Sequence, residues 1–397
     1  MTDPTLRDEL ASSSGASMIG TAGSGTVQDK IDTVPAQAKN TIENALLALD
    51  DATDEYTLGQ IINRIGLTPQ MIPGFTANAS NHSIYINQAI DRVITAGGGM
   101  VLISGLTEWK IGSQIVCHKS GYQSSHLLLR GGGEKSIMNW QNTTGNMIVI
   151  GNGSNPVYDV TLENFYLGQF SSARTAGSIV VMKKASLCKL RNIIARDIWD
   201  GVLCQDVNSI LIEDCMFIAP STGTVTGTGI TFYSDPNDPN ARCDNVDVIR
   251  CTVQYLERGG SGLSIQGRVH TGNYDRVGLL GVVRGIQSGS AGNGAANIPT
   301  FHRFRVVEVD RASECSAVLD KGHRFEFEAC DFSNTTGVGT INADTHAVVI
   351  QSGMDSVKFR GGRAGLCRQY GIYINGTNTV IEGMDISEFG RQERNVY

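Results

Sequence analysis

A four-position apolar pattern returns along most of this chain. Two apolar residues two apart are followed, three positions on, by Cys, Gly or an apolar residue, and two further on by another apolar residue. It reads Val160/Leu162/Phe165/Leu167, Cys188/Leu190/Ile193/Ala195, Ile210/Ile212/Cys215/Phe217 and Val246/Val248/Cys251/Val253. It resumes as Phe325/Phe327/Cys330/Phe332, Val357/Phe359/Gly362/Ala364 and Thr379/Ile381/Met384/Ile386. Weaker copies are Leu127/Leu129/Gly132, Val277/Leu279/Val282 and Phe304/Val306/Val309. The third position advances by roughly 21 to 36 residues per copy, the scale of a solenoid repeat. Steps of two require strands, and the step of three marks a bend onto another face. No unit buries its apolar side alone, so each must stack on the next. The expected fold is a parallel β-helix of about ten to twelve rungs running almost to Tyr397.

Composition agrees with that fold and narrows the partners. Gly is abundant (47) and Pro scarce (9) in 397 residues, as many tight turns between short strands require. A net charge of −7 without long runs argues against a nucleic-acid partner, which needs clustered Lys and Arg. No apolar run is long enough to span a membrane, and Met1-Thr2-Asp3-Pro4 lacks a signal region. Of nine Cys, Cys188, Cys215, Cys251 and Cys330 fall on the repeat, where a thiol serves as a small hydrophobe. Reduced, buried Cys is the expectation; without a CxxC pair, no metal or other cofactor is expected.

Residues 1–70 read differently. Short helices at Thr5–Ala11 and Val27–Asp32 flank a Ser/Gly-rich stretch, and a longer helix follows Pro35. Its apolar residues Ala38, Ile42, Ala45, Leu49, Ala52 and Tyr56 step by four and three, a seam suited to chain association. Residues 71–397 form the expected solenoid. Its open end is to be covered by an amphipathic helix within 83–96, N-capped by Asn81 or Ser83 and stopped at Gly97-Gly98-Gly99.

The run from Ile84 through Gly97-Gly98-Gly99 to Val101-Leu102-Ile103 and Gly105 resembles the start of pectate-lyase-like right-handed β-helices. The segment Leu6 to Ser13, with Met18-Ile19-Gly20-Thr21 and Thr26-Val27-Gln28-Asp29, resembles the one preceding many bacteriophage tailspike β-helices. This resemblance implies a right-handed, single-stranded parallel β-helix in a homotrimer. It implies a virion location, attachment to other tail or baseplate proteins through the amino-terminal region, and contact with or cleavage of a bacterial surface polysaccharide.

No catalytic signature accompanies it. The adjacent Asp pair, Asp50-Asp51, lies in the expected amino-terminal helix, and the nearest Gly-His turn is Gly322-His323. Rung stacking puts carboxylates at equivalent positions about 5 or 10 Å apart, near the separations that retaining and inverting glycosidases use. Asp197, Asp200 and Glu257 are therefore the candidate acid/base groups, with Arg258 orienting the substrate. Trp199 and Tyr255 would stack on sugars if they point outward, between walls formed by the insertions Ser221–Gly229 and Ser234–Arg242. The alternative is that Asp197 and Asp200 only cap turns. Arg268, His270 and Tyr274 form a second candidate set, suited to a polysaccharide lyase. The leading expectation is a polysaccharide-binding, endo-acting depolymerase, a hydrolase ahead of a lyase. A non-enzymatic adhesin or structural fibre, and a bacterial polysaccharide lyase, are the alternatives.

Overall fold

The computed structural model describes residues 66–122, 124–168, 174–220, 223–255, 259–289, 298–333, 346–367 and 370–389. The expected amino-terminal helices and their seam therefore lie outside the described residues. The first residues that are described already pack on the solenoid, Leu67 bridging Val101 in parallel.

The chain winds as a parallel β-helix with three sheets. Every strand pairs in parallel with its counterpart one rung away. In sheet 1, Ile148–Ile150, Ser178–Lys183, Asp200–Gln205, Thr228–Tyr233, Ser261–Gln266 and Arg284–Gly289 follow one another. Sheets 2 and 3 carry the repeat. Its first two positions lie in sheet 2, where Leu162, Leu190, Ile212, Val248 and Tyr274 are successive partners. Its last two lie in sheet 3, where Leu167, Ala195, Phe217, Val253 and Leu279 succeed one another.

The step of three has a backbone cause. Between the sheets stands one residue in the left-handed region: Asn164, Asn192, Asp214, Arg250, Arg276, Val306 or Ala329, with φ from 49° to 59°. That residue turns the chain, so the next inward position falls three places on instead of two.

Two weaker copies are out of phase with the expectation. Tyr274 pairs Val248, and Phe304 pairs Tyr274, so the true units are Gly272/Tyr274/Val277/Leu279 and His302/Phe304/Val307/Val309. Val306 is the bend residue and 50% exposed. The pattern slipped because Gly272 and His302 hold the first position, where apolar residues stand in the strong copies.

In-register stacking repeats the same side-chain type along the axis. Tyr274, Phe304, Phe327 and Phe359 form a ladder with centroids 4.5, 4.6 and 4.9 Å apart and planes within 12°. All nine Cys are free and buried. Burial pushes the Cys243 thiol up to about 12, as suits a core residue.

Helix α1 (Ser83–Thr95) covers the first rung with Ile86, Ala89, Ile90, Val93 and Ile94. His82 is its N-cap residue, and Asn81 Oδ1 accepts from the backbone N–H of Ser83 (3.0 Å) and of Gly112 (2.9 Å). The helix stops at Ala96, after which Gly97, Gly98 and Gly99 all take positive φ. Gly131–Gly133 lies in the strand Ser124–Trp140 at shifts of register, where the chain bends in the first rungs.

Candidate functional site: the outer face of sheet 1

Sheet 1 escaped the repeat because connections of variable length lead into it. Its own signal is a Gly before a branched or long apolar residue: Gly201-Val202, Gly229-Ile230, Gly262-Leu263, Gly285-Ile286, Gly371-Ile372. These glycines sit at the corner where sheet 3 hands over to sheet 1. A Cβ at Gly229 would stand 2.3 Å from Val253 Cγ1, and one at Gly285 2.4 Å from Val309 Cγ1. Only a residue without a side chain lets the two sheets approach that closely.

The outward positions of sheet 1 form two rows along the axis. One row runs Val181, Leu203, Thr231, Ser264, Gln287, of which Val181 and Ser264 are covered (1% and 2% exposed); the other runs Lys183, Gln205, Tyr233, Gln266, Gly289. The middle of this face is thus neutral and rich in hydroxyls and amides, and Gln266 Nε2 donates to Ser264 Oγ at 2.8 Å. The two long connections of one rung flank it: residues 219–220 and 223–227 lead into Thr228–Tyr233, and residues 234–242 lead out. These are the expected insertions, now on opposite edges of one sheet.

Asp197, Trp199 and Asp200 stand at the leading edge. Asp197 turns the chain with φ 54°, and partial burial pushes its carboxyl up against the opposing charge of Arg196. Trp199 is half-buried and packs on the core. Asp200 Oδ1 accepts from the Thr228 N–H at 2.7 Å. Burial raises its carboxyl, while that bond and the Arg174 guanidinium pull the other way. Arg174 is itself buried, donates to the Ala176 carbonyl at 3.0 Å and to the Gly145 carbonyl, and is pushed down to about 10 by burial. Asp200 has Ser178 below it and Thr228 above, so no carboxylate stacks on it from an adjacent rung. Glu257 and Arg258 lie outside the described residues.

Tyr255 and Tyr274 do not reach the surface. Tyr255 is 0% exposed, and its hydroxyl donates to the Trp199 carbonyl at 2.7 Å. Tyr274 is 1% exposed within the aromatic ladder. Both stand on the inward phase of the winding, which excludes them from stacking on a sugar. The other members of the second candidate set lie beyond the trailing edge of sheet 1. Arg268 fastens the 234–242 connection: its N–H donates to Ser234 Oγ at 2.6 Å, and its guanidinium donates to the Pro239 carbonyl. His270 opens a sheet 2 strand, with Nδ1 on Thr300 Oγ1. The expected lyase trio is therefore divided between core and surface.

Asp206 and Tyr233, which sequence reasoning passed over, mark the trailing edge. Asp206 Oδ1 accepts from the Asp235 N–H at 2.9 Å, and burial and the neighbouring Asp235 charge raise its carboxyl. Burial, then Asp235 and Asp206, raise the Tyr233 phenol. Asp200 and Asp206 are six residues apart on extended chain, roughly 20 Å. That exceeds the separation at which two carboxylates share one glycosidic bond, so Asp200 and Asp206 cannot act together as one acid/base pair. Among the described residues no group of three His, Cys, Asp or Glu side chains is placed to hold a metal ion, and no helix is long and apolar enough to cross a membrane.

No family model matches the chain, and no curated protein matches it. Solved structures do. The tailspike protein of the E. coli bacteriophage HK620, in complex with a pentasaccharide, is 11% identical over 96% of this chain and 71% of its own, with a TM-score of 0.51. ORF18 of Geobacillus virus E2 is 15% identical over 83% of this chain and 59% of its own, with a TM-score of 0.50. The chain has a tailspike-like parallel β-helix fold.

Proposed function

We propose that this chain is a phage tailspike that recognises a bacterial surface polysaccharide (capsule, exopolysaccharide or O-antigen) along the outer face of sheet 1. The observation that carries this reading is the neutral polar floor of Gln205, Thr231, Tyr233 and Gln266 between two long connections. Sugar hydroxyls both donate and accept, and amide and hydroxyl side chains answer both needs. Tyr233 adds an aromatic face, and the axial rows suit an extended polymer better than a compact ligand. The likeness in fold to a tailspike whose structure holds a pentasaccharide supports this choice of ligand class.

Cleavage is the second part of the proposal. Asp200, raised by burial, is suited to protonate a leaving oxygen, with Asp197 or Glu257 as its complement and Arg258 and Trp199 positioning the sugar. A non-cleaving adhesin is the alternative; it is favoured by the bond from Thr228 that occupies Asp200 and by the lack of a carboxylate directly above or below it. Assembly as a homotrimer in a virion, attached to other tail proteins through residues 1–70, belongs to the same proposal. Incubation with purified surface glycans, followed by mass analysis, tests it. A depolymerase releases oligosaccharides, and Asp200→Asn abolishes release while leaving binding intact. An adhesin binds and releases nothing.

A further inference from the structure

The outer face of sheet 2 carries a cluster away from sheet 1. His323 and Asp355 are register partners on consecutive rungs, with Asp355 Oδ2 2.8 Å from His323 Nδ1. Asp355 Oδ1 accepts from Asn378 Nδ2 at 2.7 Å and Thr377 Oγ1 at 3.0 Å. Those donors hold the carboxyl below its usual range and fix its orientation, and the carboxylate in turn fixes the imidazole. Among the described residues, His323 Nε2 has no hydrogen-bond partner.

Beside this dyad stand Phe301 and Arg324, at one register position on consecutive rungs. Phe301 is 50% exposed; the Arg324 guanidinium lies 5.0 Å from its centroid, and the His323 ring meets it edge-on at 6.2 Å. Both residues take positive φ, 61° and 58°, at a bend that recurs on neighbouring rungs. Elsewhere that bend is mostly held by small polar residues such as Asp159, Ser209, Asn245, Thr271, Ser356 and Asn378; Leu187 is another apolar exception. Phe and Arg are strained in this conformation, and here they expose an aromatic ring to solvent. Neighbouring arginines on the same sheet are all paired: Arg303 with Glu328, Arg305 with Asp275 and Arg360 with Glu382. Arg324 has no carboxylate partner among the described residues.

We propose that Phe301, His323 and Arg324 form a subsite for an acidic sugar, separate from sheet 1. The sugar ring stacks on Phe301, while its carboxylate takes hydrogen bonds from the Arg324 guanidinium; His323, whose Nδ1–H is given to the Asp355 carboxylate, offers Nε2 as an acceptor for a sugar hydroxyl. On a chain of net negative charge, one unpaired arginine beside an aromatic platform is where an anionic sugar meets least repulsion.

Calorimetric titration of the full chain with tetragalacturonate, and with maltotetraose as neutral counterpart, tests this. Tetragalacturonate binds the wild type, and Phe301→Ala and Arg324→Gln each weaken it by at least about tenfold, a loss of roughly 1.4 kcal/mol. Maltotetraose binding is unaffected by either change. Phe301→Asn, a residue better suited to positive φ, raises thermal stability and still loses binding, which separates ligand contact from folding. The proposal is overturned if tetragalacturonate does not bind the wild type, or binds all variants equally. It is also overturned if Phe301→Ala changes the sedimentation coefficient, which would make the patch a contact between copies. Tetragalacturonate binding that is lost in Tyr233→Ala but kept in Phe301→Ala and Arg324→Gln would overturn this proposal and leave the sheet 1 reading standing, so the two failures are distinguishable.

Discussion

The Tyr255 hydroxyl reaches past an intervening rung to donate to the Trp199 carbonyl at 2.7 Å, joining two sheet 3-to-sheet 1 connections. Gly227 lies between them: a Cβ there would stand 2.1 Å from the same carbonyl oxygen and 2.7 Å from Asp200 Oδ1. The leading edge of the candidate groove is therefore set by a buried phenol, a bare backbone and a carboxylate acting together. Tyr255→Phe leaves that carbonyl unpaired and should cost about 1–3 kcal/mol. Gly227→Ala should cost more, because backbone must move. Urea unfolding midpoints of the two variants check the order.

The aromatic ladder makes a separate claim about the core. Phe327 stacks on Phe304 at 4.6 Å and on Phe359 at 4.9 Å, and is almost fully buried. Phe327→Ala should cost about 3–5 kcal/mol through lost burial and the cavity left behind, whereas Phe327→Leu should retain much of that. Equilibrium unfolding of both variants distinguishes close packing from mere apolarity.

Acid stability follows from His302. It is buried, with Nε2 on the Val269 carbonyl at 2.9 Å and Nδ1 3.3 Å from the Tyr274 hydroxyl. Burial pushes the imidazole down to about 4 from an ordinary 6.5. The unfolded chain therefore binds a proton that the folded chain refuses between those values. Stability falls as pH drops from 6.5 to 4, by on the order of 3 kcal/mol from this residue. His302→Gln should flatten that limb, as read from unfolding midpoints across the pH range. Asp275 and Asp214, lowered chiefly by hydrogen bonds from Arg305 and Arg250 respectively, add a further loss below about pH 4 that His302→Gln leaves in place.

Cys215 and Cys251 occupy the same inward position on consecutive rungs, and all nine thiols are free and buried. The native protein should resist a thiol-specific aromatic disulfide and react at all nine positions once unfolded in guanidinium. Rapid labelling of the native chain would contradict a core built this way.

The winding was legible because sheets 2 and 3 are joined by one left-handed residue. Leu190 to Ile193 and Ile212 to Cys215 therefore keep the same spacing on every strong rung. Sheet 1 kept no such spacing: Ala195 precedes Val202 by seven residues, but Phe217 precedes Ile230 by thirteen. The face carrying Tyr233 and Gln266 was consequently invisible to a search for fixed intervals. The same gap in reading explains the two tyrosines. Tyr255 sits one step beyond the repeat, where nothing in the spacing fixes which way a side chain points. Tyr274 was hidden by Gly272 and His302, which broke the apolar signal on two rungs. The carboxylates were easier to notice than to pair, since register with Ser178 and Thr228 emerges only when the connections are threaded.

Binding of purified capsule and O-antigen polysaccharides to the wild type and to a Tyr233→Ala/Gln266→Ala double variant tests the central claim most directly. The account predicts that at least one polysaccharide binds the wild type and that the double variant loses about tenfold or more in affinity while its unfolding midpoint barely moves. Undiminished binding by the double variant would contradict it.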